Sequence, residues 1–119
     1  MTTRRVGDAI VEVLQSAGVD TVFGIPGIHT LPLYDALAGV PSIRHILTRH
    51  EQGAASAADG YARVLGRPGV LTTTTGPGTF NTLAAFAEAW SDSSPIVLLA
   101  GQIDAALDGL GREIGRAHV

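Results

Sequence analysis

Glu51 is the charged side chain at the head of "EQGAASAADGYAR", a run built largely from small residues. A carboxyl group in that setting can reach toward a bound molecule. Small neighbours such as Gly53, Ala54, Ala55, Ser56, Ala57, Ala58 and Gly60 let a flat molecule, a sheet or another chain come close. The same residues also fit a plain helix start, because an acid in the first turn complements the macrodipole and alanine is a strong helix former. The residues alone leave both readings open.

A second candidate is Thr74-Thr75-Gly76-Pro77-Gly78. Such a turn before a helix can present backbone N–H groups to an anion. Neither G-x-G-x-x-G nor G-x-x-x-x-G-K-[ST] occurs, however, and the chain has no lysine, so no phosphate loop of these kinds is expected. The four histidines, His29, His45, His50 and His118, lack metal-ligand spacing, and no metal site is expected in the chain. There is no G-x-S-x-G elbow and hence no serine nucleophile of that type. Trp90 and the phenylalanines read as core.

Elements that could position these groups alternate along the chain. Val6, Ile10, Val13, Leu14 and Ala17 recur at helical spacing, with Thr2 or Thr3 to cap and Gly18 to stop. Strands are expected at 21–25, 43–47, 69–75 and 96–100. Helices are expected at 31–39, at 51–65 and from Gly78 through Trp90. This order predicts an α/β fold, a parallel sheet with helices on both faces. Ligands bind such sheets beyond the carboxyl ends of the strands. Pro26-Gly27, His50-Glu51 and Thr74 to Gly78 all fall there.

The bulk numbers narrow the function classes. With 119 residues the chain has room for one domain, and 45% hydrophobic with 16% charged residues is a globular composition. A net charge of −3 and an aromatic content of 5% offer no nucleic-acid surface. Cysteine is absent, in keeping with a reducing, cytoplasmic setting. Asp8 and Glu12 interrupt the apolar run a signal peptide needs, and the uncharged stretch from Pro68 to Ala87 carries turn residues, so no membrane association is expected.

"VFGIPG", "RHEQGAASAADGYAR" and "TTTTGPGTFNTLAAFAEAWSDSSPIVLLAGQ", in this order, resemble the amino-terminal pyrimidine-binding domain of thiamine-diphosphate enzymes. The group in question is that of acetolactate synthase, benzoylformate decarboxylase and related 2-oxo acid carboligases and decarboxylases. The resemblance covers residues from about 5 to 102. It implies that Glu51 is catalytic, hydrogen-bonding N1′ of the aminopyrimidine and so activating the cofactor for ylide formation at C2. It implies further that Pro26 and Gly27 lie beside the cleft, and that Thr74, Thr75, Pro77 and Asn81 line the pyrimidine pocket. That chemistry calls for a carboxyl group able to share a proton near neutral pH.

By the same resemblance the parent uses thiamine diphosphate and Mg2+, both anchored by a diphosphate domain whose Gly-Asp-Gly…Asn motif is missing here. Some members also hold FAD. The substrate is a 2-oxo acid, and the pocket is completed by the diphosphate domain of a second subunit in a homodimer or homotetramer. Threonine at 74, where some decarboxylases have histidine, points to the synthase side. Ile28-His29 and Leu110-Gly111-Arg112 depart from the synthase pattern. Residues 1–113 are read as a partial domain, incomplete at its carboxyl end. Residues 114–119, "IGRAHV", resemble no part of the family and are read as a non-native tail. Two alternatives remain: the pyrimidine-domain subunit of a split 2-oxo acid decarboxylase, and a non-catalytic α/β binding module.

Overall fold

A computed structural model describes residues 4–104 and 106. Four strands form one parallel sheet: β1 (Thr21–Gly24), β2 (Arg44–Leu47), β3 (Gly69–Thr73) and β4 (Ile96–Ala100), in the order β2-β1-β3-β4. The helices are α1 (Val6–Ser16), α2 (Leu31–Ala38), α3 (Glu51–Leu65), α4 (Pro77–Phe80) and α5 (Leu83–Ser91), with a 3-10 turn at Ile28–Thr30. The expected α/β parallel sheet is therefore present.

Strand alternation divides the core between the two faces. Val22 and Val70 point to one side, where they pack with Val11 and Leu14 of α1 and with Leu33, Ala36 and Leu37 of α2. Their neighbours Phe23 and Leu71 point to the other, against Ala54, Ala55 and Ala58 of α3 and Ala85 of α5. Successive side chains leave a strand on opposite faces, so one pleat serves both layers. The inner strands β1 and β3 are buried along their length, whereas the outer strands β2 and β4 are partly exposed.

The alanines of α3 are explained by this packing. A methyl group on Gly69 would lie 2.0 Å from the Ala58 carbonyl oxygen, so helix and strand meet nearly backbone to backbone. Gly53, Ser56 and Gly60 lie on the exposed side of the same helix. The helix starts at His50, whose Nδ1 accepts the Gln52 N–H, and stops at Gly66 in the left-handed conformation.

Three expectations are corrected. The helix foreseen from Gly78 through Trp90 is two helices broken at Asn81-Thr82. There the Thr82 hydroxyl donates to the Thr79 carbonyl at 2.7 Å and competes with the helical ladder. Trp90 is not core but 86% exposed, because Ala85 and Ala89 take the sheet-facing side of α5; Phe80 is likewise exposed, while Phe23 is buried. Arg5 occupies the cap position of α1 without a side-chain cap bond, and Thr2 and Thr3 lie outside the described residues. The proposed boundary at 113/114 also falls outside them. No described helix is long and apolar enough to cross a membrane.

Candidate functional site

The sheet order creates the site. β2 returns to one side of β1 and β3 lies on the other, so the crossovers diverge above β1 and β3 and leave a crevice at their carboxyl ends. β3 ends at Thr73, two residues before the expected boundary, and this frees Thr74 and Thr75 from the ladder. Gly76, at φ 59° and ψ −118°, then turns the chain sharply into α4. Positive φ there is readily reached only by glycine.

Within this crevice lies a cleft of about 480 Å³ lined by Ile28, His29, Glu51, Thr74, Thr75, Pro77, Gly78 and Asn81. Glu51 enters from the first turn of α3, and its Oε2 accepts a hydrogen bond from the Asn81 side-chain amide at 3.0 Å. The break between α4 and α5 places Asn81 there. Gly78 leaves room for the carboxylate: a methyl group on it would sit 3.4 Å from Glu51 Oε1 and 2.9 Å from the Thr74 methyl. The threonines are braced from behind. The Thr79 hydroxyl donates to the Thr74 carbonyl at 3.0 Å, and the Thr75 hydroxyl donates to Gln102 Oε1 at 3.4 Å.

Glu51, Thr74, Thr75, Pro77 and Asn81 are thus brought together. Gly27 borders them: a methyl group on it would lie 2.4 Å from Thr74 Cβ, which fixes the 3-10 turn against the strand end. Pro26 is exposed one residue earlier and is not part of the cleft lining. Sequence reasoning missed Ile28, His29 and Gln102 as site residues. His29 Nδ1 lies 3.5 Å from Thr74 Oγ1. The available signal was position, since all three follow strands whose carboxyl ends face the crevice.

The chemistry of this donor set is specific. One carboxylate, one amide, one imidazole and threonine hydroxyls line the cleft, and no arginine is among them. Such a wall suits a flat, neutral, nitrogen-bearing ring and not a diphosphate. Among the described residues no cluster of three His, Asp or Glu side chains could hold a metal ion.

The family model described as "Thiamine pyrophosphate enzyme, N-terminal TPP binding domain" matches residues 4–118. The chain belongs to this family. It is 52% identical over 116 residues, 98% of its length, to a probable 2-ketoarginine decarboxylase of Pseudomonas aeruginosa, of which it covers 20%. It is 48% identical over 101 residues to an acetolactate synthase of Mycobacterium bovis, covering 85% of this chain and 16% of that one. The large subunit of acetolactate synthase isozyme 2 of Escherichia coli is 48% identical over 100 residues, 84% of this chain and 18% of that subunit. The chain therefore spans about a fifth or less of the length of these relatives. For a thiamine pyrophosphate domain, the residues present fit the pyrimidine half of the cofactor. Glu51 and Asn81 form one hydrogen-bonded polar pair at the cleft wall, and the missing side chain at Gly78 leaves room beside the Glu51 carboxylate.

Proposed function

We propose that this chain is the amino-terminal, pyrimidine-binding part of a thiamine-diphosphate-dependent enzyme acting on 2-oxo acids by decarboxylation or carboligation. Both printed chemistries among its relatives, 2-ketoarginine decarboxylase and acetolactate synthase, support that class. The observation that carries the reading is the Glu51 carboxylate, held by the neutral amide of Asn81 at 3.0 Å inside a lining without arginine.

Glu51 is the catalytic residue. Its carboxyl group shares a proton with the ring nitrogen of the aminopyrimidine, and Asn81 fixes which carboxylate oxygen is presented. Thr74, Thr75 and Pro77 bound the ring, and the Gly27–Thr74 contact keeps that wall in place. When bound, thiamine diphosphate supplies an electron sink for the pair left behind as the 2-oxo acid loses its carboxyl group. The diphosphate, which Mg2+ accompanies, needs cationic ligands, and neither arginine nor lysine lines this cleft. They are therefore held by a diphosphate domain elsewhere, contributed by a second subunit of a homodimer or homotetramer. The absence of cysteine accords with a cytoplasmic setting.

The test is Glu51→Gln in the longer enzyme that carries this domain. Positioned proton transfer contributes about 10²- to 10⁴-fold, and turnover is expected to fall by that amount while the thermal midpoint stays put. Turnover equal to wild type would remove the reading.

A further inference from the structure

Thr82 carries a hydroxyl where the packing pattern calls for a hydrocarbon. It begins the sheet-facing side of α5, three residues before Ala85 and seven before Ala89, and all three side chains are buried. The exposure of Thr82 is 0%. A hydroxyl taken out of water needs a partner. That partner is the Thr79 carbonyl, which accepts the Thr82 hydroxyl at 2.7 Å and the Thr82 N–H at 3.1 Å. Both bonds reach back three residues, the 3-10 spacing, where an α-helix reaches back four. Asn81 and Thr82 accordingly have ψ of −15° and −16°, flatter than the value of about −42° in an α-helix. The helix is interrupted at these two residues.

The interruption acts on the cleft through Asn81. Its side-chain amide donates to Glu51 Oε2 at 3.0 Å. With Oε2 engaged, Oε1 on the Gly78 side is the oxygen presented to a ligand. The same turn is tied to the end of β3. The Thr79 hydroxyl donates to the Thr74 carbonyl at 3.0 Å and, with its proton so committed, accepts from the Thr73 hydroxyl at 3.1 Å. A line of bonds therefore runs from Thr82 through Thr79 to Thr73 and Thr74, and it fixes Asn81 relative to the threonines of the cleft. For stability alone a hydrocarbon at 82 would serve nearly as well, because the Thr79 carbonyl keeps the Thr82 N–H. What the hydroxyl adds is direction.

We propose that Thr82 is a positioning residue for proton transfer at Glu51: its hydroxyl sets the α4–α5 break and so holds Asn81 on the carboxylate. The inference rests on the function proposed above, in which Glu51 shares a proton with the aminopyrimidine ring. A catalytic group displaced by about 1 Å loses up to about 10²-fold in rate, and the loss of one orienting contact is expected to cost about tenfold.

The experiment uses the longer enzyme and three variants. Thr82→Val keeps the side-chain shape without the hydroxyl, Thr82→Ala removes it without added bulk, and Thr82→Ser retains it. Two quantities are read: the Asn81 Nδ2 to Glu51 Oε2 separation in crystals of the cofactor-free variants, and deuterium exchange at C2 of bound thiamine diphosphate. In Thr82→Val and Thr82→Ala the separation is expected to exceed about 3.5 Å and exchange to slow about tenfold, with cofactor affinity within about twofold of wild type. Thr82→Ser should keep the 3.0 Å contact and the wild-type rate. Added to Asn81→Ala, Thr82→Val should slow exchange no further, since its effect passes through Asn81. Where valine is not accommodated, alanine supplies the same readings. An intact Asn81–Glu51 contact or wild-type exchange in the variants without the hydroxyl would overturn the proposal. So would failure of serine to restore both readings, or a further tenfold slowing in the double variant. Slowed exchange in Glu51→Gln beside these results overturns this inference alone. Unchanged exchange in Glu51→Gln overturns the function proposed above and this inference with it.

Discussion

The two ends of the sheet are both polar, and they are built on opposite principles. At the amino end, charges are paired. Asp20 accepts from Tyr61 at 2.5 Å, from Thr21 at 2.9 Å and from Arg67 at 2.5 Å, and the Arg67 guanidinium lies over the Tyr61 ring. Arg63 likewise bridges Asp59 of its own helix and Asp92 beyond α5. At the carboxyl end, the Glu51 carboxylate meets a neutral amide, and no ion pair to it occurs among the described residues. Paired charges tie α3, β1 and β3 to one another, whereas the Glu51 carboxylate is met by an amide and faces the cleft.

This contrast can be broken or sharpened by substitution. The largest effect on stability is expected from Gly69→Ala at the amino end. Its methyl group would lie 2.0 Å from the Ala58 carbonyl and force α3 off the sheet. A loss of about 3 kcal/mol, the upper range for overpacking, is expected in urea unfolding. A loss under about 0.5 kcal/mol would show that the helix–strand approach is not tight.

A smaller effect follows from Asp20. Its hydrogen bond from Tyr61, with those from Thr21 and Arg67, holds its carboxyl down at about 2, below the ordinary 3.8. A folded-state value below the unfolded one contributes stability that is fully present above about pH 4. That contribution is lost as the pH falls from there toward 2. Asp20→Asn should flatten this acid limb of the urea midpoint against pH, and an unchanged limb would place the acid sensitivity elsewhere. The smallest effect belongs to Trp90→Ser. With Trp90 86% exposed, stability should move by no more than about 0.5 kcal/mol. A larger loss, read by the same unfolding curves, would restore Trp90 to a packed role.

Much of this was legible in the sequence, for reasons specific to each element. The β-branched and apolar runs at 21–25, 69–75 and 96–100 have few alternatives to parallel strands, and the alanine run of α3 marks close helix–sheet packing. Glu51, Thr74, Thr75 and Pro77 could be grouped because each follows a strand end or opens a helix, whereas Asn81 was legible only through the family resemblance. What was not legible depended on competition between local and tertiary terms. The α4–α5 break is decided by one threonine hydroxyl bonding backward, which an apolar pattern does not encode. Trp90 looks like core by composition, and only the phase of Ala85 and Ala89 turns it outward. His29 enters the cleft through the close approaches of Gly27 to Thr74 and of Gly101 to His29 and Thr30, which join segments far apart in the sequence.

The central claim is that Glu51 shares a proton with the aminopyrimidine ring and thereby promotes loss of the C2 proton of bound thiamine diphosphate. The direct measurement is hydrogen–deuterium exchange at that carbon in the longer enzyme, quenched on the millisecond scale and read by proton NMR. Glu51→Gln is expected to bind the cofactor and to slow exchange by about 10²-fold or more. Exchange at the wild-type rate in that variant, with the cofactor bound, would contradict the account.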